Sequence, residues 1–171
     1  RFERGALDFD VPEARVDVDD DGSVSGLGHE ARYSSHRLVE EFMLAANEAV
    51  AAQMLDGGLD ALYRIHDPPD PEKLEIVRQV AGALGQRLPP GKKIRSSDLQ
   101  SVLMHFENRK EAPLIGQLVL RAMMRAIYST KALPHFGLAS DAYLHFTSPI
   151  RRYPDLHVHR LLKATLRGTE P

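Results

Sequence analysis

Beyond residue 34 the apolar positions recur mostly at helical spacing. Leu38, Val39, Phe42, Met43, Ala46, Ala49 and Val50 fall on one side of a helix predicted from His36 to about Leu55. Ser35 is its expected N-cap, Gly57-Gly58 its stop, and the apolar stripe is expected to pack into the core. His66-Asp67-Pro68-Pro69-Asp70-Pro71 reads as a rigid connector, with Asp70 and Pro71 as N-cap and first residue of a helix through Leu74, Val77, Val80, Ala81 and Leu84. Pro89-Pro90-Gly91 breaks the pattern. A short helix near Ser97–Phe106 and a longer one over about Ala112–Tyr128 follow. Residues 129–147 read as an irregular loop, and a last helix begins at Ser148 or Pro154 and runs to Leu166.

Residues 1–33 alternate instead. Arg15-Val16-Asp17-Val18 and Val24 flank Asp19-Asp20-Asp21-Gly22-Ser23, so a hairpin is predicted. Asp17, Asp19, Asp21 and Gly22 match the opening of a calcium loop, but its twelfth position, which needs a bidentate Glu, is Gly28, so the acidic run is read as a solvated turn. The pattern therefore predicts an α+β chain, predominantly helical, with a small antiparallel β element near its N-terminus. A hairpin this short needs a sheet to join, and with Arg1 in first place this points to sequence upstream.

The 171 residues are 43% hydrophobic, enough for one domain with a core. There is no cysteine, which removes disulfides and thiolate metal sites and suits a reducing cytoplasm. No apolar run approaches the roughly 20 residues that span a bilayer, so no membrane role is expected. The net charge of −2 conceals a division: residues 87–171 carry 14 Lys+Arg against 6 Asp+Glu (+8), whereas residues 1–86 carry 8 against 18 (−10). Such asymmetry fits one face meeting a polyanion, and equally two solvated surfaces.

The chemistry concentrates at Ser148-Pro149-Ile150-Arg151-Arg152-Tyr153. Ser148 as N-cap and Pro149 at the first helical position would aim backbone N–H groups at an anion, and two guanidiniums can grip phosphate oxygens in pairs. Adjacent arginines also occur as ordinary solvated helix faces. His157 and His159 are two apart and would diverge on a helix, which argues against a zinc site. Glu48 is expected at solvent or in an ion pair.

Longer motifs are more specific. Tyr128-Ser129-Thr130, His135-Phe136-Gly137-Leu138, and the run from His145 through Leu156 followed by Val158-His159-Arg160-Leu161-Leu162 resemble the C-terminal signature of the ribonuclease II / ribonuclease R exoribonucleases. His36 through Val50 resembles the central helix of that family, and Arg4-Gly5-Ala6-Leu7 with Pro12-Glu13 the segment before it.

The resemblance implies a partial catalytic domain of RNB type over 1–171: a hairpin segment at 1–33, a helical part at 34–171, and the phosphate-gripping signature at 145–162. It implies processive 3′-to-5′ hydrolysis of single-stranded RNA to nucleoside 5′-monophosphates, assisted by magnesium. Arg151 corresponds to the arginine at the scissile phosphate, and Glu40 or Glu41 to an acidic residue near the terminal ribose. The two glutamates are about 100° apart on a helix, so one of them is expected to face the RNA. His135, Phe136, Ser148, Arg152 and Tyr153 are further candidate RNA contacts. For Phe136 a core position is equally open, and Arg152 and Tyr153 could instead shape the loop. The family's metal-binding aspartates are not matched: Asp8-Phe9-Asp10 is followed by Val11 and lies too close to the helix, so no magnesium ligand is expected from this chain. Those aspartates and flanking OB-fold RNA-binding domains are expected elsewhere in a full-length protein. The alternative is a non-catalytic RNA-binding or regulatory module of the same ancestry.

Overall fold

Asp70 stands ahead of Pro71 in the sequence, and its carboxylate accepts hydrogen bonds from the backbone N–H of Glu72 and Lys73, starting a helix where predicted. The computed structural model describes residues 1–9, 14–29, 33–90 and 94–169. Asp10, Val11 and Pro12-Glu13, which carried part of the reading above, lie outside the described residues, as does Gly91. In chain order the elements are β1 (Ala14–Val18), β2 (Val24–His29), α1 (Ser34–Asp56), β3 (Tyr63–Ile65), α2 (Pro71–Ala83), α3 (Ser96–Phe106), α4 (Ala112–Ala122), β4 (Ile127–Ser129) and α5 (Tyr153–Arg167). The fold is thus α+β and mostly helical, with two small antiparallel sheets, β1–β2 and β3–β4. Among the described residues no helix is long and apolar enough to cross a membrane.

Two apolar clusters hold these elements. One joins α2, α3 and α4 through Leu74, Val77, Leu99, Val102, Phe106, Ile115 and Val119. The other joins the C-terminal half of α1, β3, Leu144 and α5 through Ala51, Met54, Tyr63, Ile65, Val158 and Leu161. Each large side chain fully buried there stabilises the fold by about 1.5–3 kcal/mol. The start of the chain ties the two together. Gln100 Nε2 donates to the carbonyls of Phe2 and Ala6, Leu7 N donates to Gly137 O, and Arg4 forms a two-pronged pair with Glu48 of α1. Gly5 allows this approach. Its φ is +94°, and a Cβ there would lie 2.6 Å from the Cβ and 2.7 Å from the Cα of Ser97.

Four local expectations are corrected. Ser35 does not cap α1, which begins at Ser34 with Tyr33 in the cap position. The apolar stripe of α1 is core only toward its C-terminal end: Leu38, Val39, Phe42 and Met43 are exposed, while Asn47, Ala51 and Met54 are buried. α4 stops at Ala122 rather than continuing to Tyr128, because residues 127–129 pair across to β3 and take extended geometry. Of the two possible starts for the last helix, the later one holds. Ser148 is not an N-cap: its carbonyl accepts from Arg151 N and Arg152 N in a closed turn, and α5 starts at Tyr153-Pro154. A helix running on through Pro154 would clash with the carbonyl four residues earlier, so the turn and the helix are separate. The acidic hairpin tip is a turn as expected, with Asp21 Oδ1 accepting from Ser23 N and Oγ, which holds the Asp21 carboxyl below the usual range.

Candidate nucleic-acid interface

The 145–155 signature is held by one buried carboxylate. Asp155, in the first turn of α5, has 0% exposure, and its Oδ1 accepts from Ser148 N and from Arg152 Nη2, both at 2.7 Å. It closes the Ser148 turn from below and neutralises Arg152. Arg151 is left exposed at the end of the turn, and its guanidinium has no hydrogen-bond or ion-pair partner among the described residues. Ile150 and Tyr153, on either side of the two arginines, are also exposed. The two arginines therefore divide: Arg152 is structural in its contacts, and Arg151 is a free planar cation.

The turn is tied to α1 by Asn47, a buried residue that none of the sequence motifs singled out. Asn47 Nδ2 donates to Tyr143 Oη at 2.8 Å, and its Oδ1 accepts from Phe146 N at 3.0 Å. The signal for it was present, since Asn47 is the lone amide inside the apolar stretch Phe42–Val50. Residues seven apart on a helix lie within about 20° of each other, so Glu40 shares the face of Asn47. Glu41 shares the face of Glu48, and both of these glutamates hold arginines from the chain start, Arg1 and Arg4. The cleft they line is about 110 Å³, too small for a nucleotide.

His135 and Phe136 lie at a tight turn over Phe136–Leu138. His135 Nδ1 accepts from Leu138 N, and its ring packs on His66 and Tyr143 at 4.9 and 5.4 Å. Phe136 is partly buried against the α2–α4 cluster, so it packs there as the core alternative required. Tyr143 continues the ring contacts to His145, whose Nδ1 meets Tyr128 Oη at 2.7 Å. His159 donates from Nε2 to Phe146 O and stacks on the Phe146 ring at 4.1 Å, a scaffold role. Among the described residues no three His, Asp or Glu side chains converge to hold a metal ion, and Asp8 lies 3.9 Å from Arg37.

Burial above all, then the neighbouring His66, pushes His135 down to about 4; burial, then Arg152, with Arg64 and Arg151, does the same to His145. Both folded values lie below the ordinary 6.5, so the unfolded chain binds more protons between them. Neither group affects stability above pH 6.5; both destabilise the fold progressively as pH falls from about 6.5 toward 4. Histidine NMR titrations should show these two imidazoles neutral at pH 5.5. Midpoints near 6.5 for both would remove this contribution.

The described part of the chain is thus a mostly helical α+β fold that carries an exposed Arg151 on a turn backed by the buried Asp155 carboxylate. The comparisons name the family. The RNB domain matches residues 1–168, and the chain belongs to that family. It is 46% identical over 170 residues to ribonuclease R of Aquifex aeolicus and 39% identical over 166 residues to ribonuclease R of Escherichia coli, covering 99% and 97% of this chain. It spans only 24% and 20% of those relatives' lengths. Among solved structures, Mycoplasma genitalium RNase R in complex with ribose-methylated single-stranded RNA superposes with a TM-score of 0.87 at 32% identity, over 96% of this chain and 26% of that one. Yeast Ssd1, a pseudonuclease, superposes with a TM-score of 0.72 at 26% identity, over 82% of this chain and 18% of that one.

Proposed function

We propose that this chain supplies the RNA-gripping part of the catalytic domain of a processive, magnesium-assisted 3′-to-5′ exoribonuclease, acting in the cytoplasm on single-stranded RNA and releasing nucleoside 5′-monophosphates. The observation that carries the reading is the Ser148–Arg151 turn, which offers an unpaired Arg151 on a family fold whose M. genitalium relative is described with single-stranded RNA bound. Arg151 stabilises the charge that develops on the scissile phosphate, donating planar N–H groups to its oxygens. Glu40, on the same face of α1 as Asn47, is the glutamate assigned to the ribose, where a carboxylate accepts from the 2′-OH. Glu41 is held by Arg1. Ser148 and Arg152 shape the turn, Tyr153 lies exposed beside it, and His135 with Phe136 support the loop behind it.

The described carboxylates do not fit a magnesium site, so the metal ligands are assigned to other parts of the complete protein, as are the OB-fold domains. The test uses the 171-residue chain. It should bind a labelled single-stranded RNA at low salt, lose affinity as salt rises, and release no 5′-monophosphates when magnesium is added. Rapid release would place the metal ligands within this chain. The second reading, a non-catalytic RNA-binding module, draws on the likeness to a pseudonuclease. It predicts RNA binding of the same kind, with no turnover even in the complete protein.

A further inference from the structure

Strand β3 buries Tyr63 and Ile65 and leaves Arg64 between them on the other face of the strand. Arg64 stands directly across from Tyr128 of β4, and its guanidinium lies over the Tyr128 ring, 4.8 Å from the centroid. Such a contact orders a cation without neutralising it. No carboxylate among the described residues pairs with Arg64. The platform beneath is itself fixed: Tyr128 Oη meets His145 Nδ1 at 2.7 Å, and the two rings pack edge to face at 5.6 Å.

His145 opens the signature three residues before Ser148. Arg64, Arg151 and Arg152 all lie near enough to its imidazole to disfavour its protonation. Of these three guanidiniums, Arg152 is paired with Asp155, whereas Arg64 and Arg151 have no carboxylate partner among the described residues. Arg64 is joined to the signature through Tyr128 and His145, and a cation without a carboxylate partner among the described residues suits a bound polyanion.

We propose that Arg64, ordered on Tyr128, is a second phosphate-gripping residue that engages single-stranded RNA at a phosphodiester neighbouring the one on Arg151, with His145 positioning the platform. The inference rests on the RNA-binding reading above and adds a residue and a second phosphate to it.

The test is fluorescence anisotropy of a labelled ten-nucleotide single-stranded RNA with the 171-residue chain across a salt series. Each phosphate neutralised on a single strand contributes about −0.7 to the slope of log K against log salt. Arg64→Ala should make the slope shallower by about 0.7 and weaken binding about tenfold at low salt. Arg64→Lys, which keeps the charge without the planar stack, should retain the slope and lose part of the affinity. Circular dichroism melting checks the fold of each variant, and Arg64→Gln carries the same test if Arg64→Ala does not fold. An unchanged slope in Arg64→Ala or Arg64→Gln, with a reduced slope in Arg151→Ala, would overturn the inference and leave the RNA-binding reading standing. Absence of salt-dependent binding by the unaltered chain would overturn both.

Discussion

Arg151→Ala in the complete protein is expected to lower kcat by about 10²–10³-fold, the usual cost of removing one preorganised donor from a developing oxyanion. RNA affinity should fall by about tenfold or less, since an extended strand is held at many phosphates. The expectation follows from the division of labour between the two arginines. Arg152 spends its guanidinium on Asp155, so its contribution is already realised in the free protein. Arg151 sits at the end of a turn closed on the Ser148 carbonyl, exposed and without a side-chain partner among the described residues. Its interaction energy is available for the reacting phosphate. Single-turnover kinetics with saturating RNA separate the two effects, and equal losses in kcat and affinity would reduce Arg151 to a binding residue.

Asp155→Ala should destabilise the fold by about 3–5 kcal/mol, the range for removing one partner of a buried pair. The carboxylate is fully buried and receives both the Ser148 N–H and the Arg152 guanidinium. Without it, a largely buried cation and the part-buried Ser148 N–H are left without their acceptor, and the turn that carries Arg151 keeps only its backbone bonds to the Ser148 carbonyl. Asp155→Asn keeps an acceptor for Ser148 and should fall between Asp155→Ala and the unaltered chain. Urea denaturation measures all three. A loss below about 1 kcal/mol in Asp155→Ala would show that the turn is held by other contacts.

Helices whose ends are written in local chemistry were legible: Asp70-Pro71 starts α2 because one side chain and one fixed φ suffice. What depended on distant partners was not. Residues 127–129 continue the apolar rhythm of α4, and only the pairing of Tyr128 with Arg64, distant in sequence, turns them into a strand. For the same reason Arg64 carried no signal in the sequence. Ser148-Pro149 has the residue preferences of a helix start, yet Pro154 follows too soon for one continuous helix, so those preferences serve a turn. The stripe Leu38, Val39, Phe42 and Met43 reads as core from periodicity, but periodicity cannot say which apolar face receives a partner. The site fared similarly. Arg151 stands out in its motif, whereas the proposal of Glu40 rather than Glu41 rests on the face of α1 that Glu40 shares with Asn47, which only the contacts of Asn47 reveal.

An RNA phosphate is expected on the Ser148–Arg151 turn. A crystal structure of this chain with a bound single-stranded oligoribonucleotide tests it most directly. Phosphate oxygens should lie about 2.7–2.9 Å from the Arg151 guanidinium, with the Asp155–Arg152 pair intact beneath. RNA bound elsewhere, with Arg151 still pointing into solvent, would contradict it.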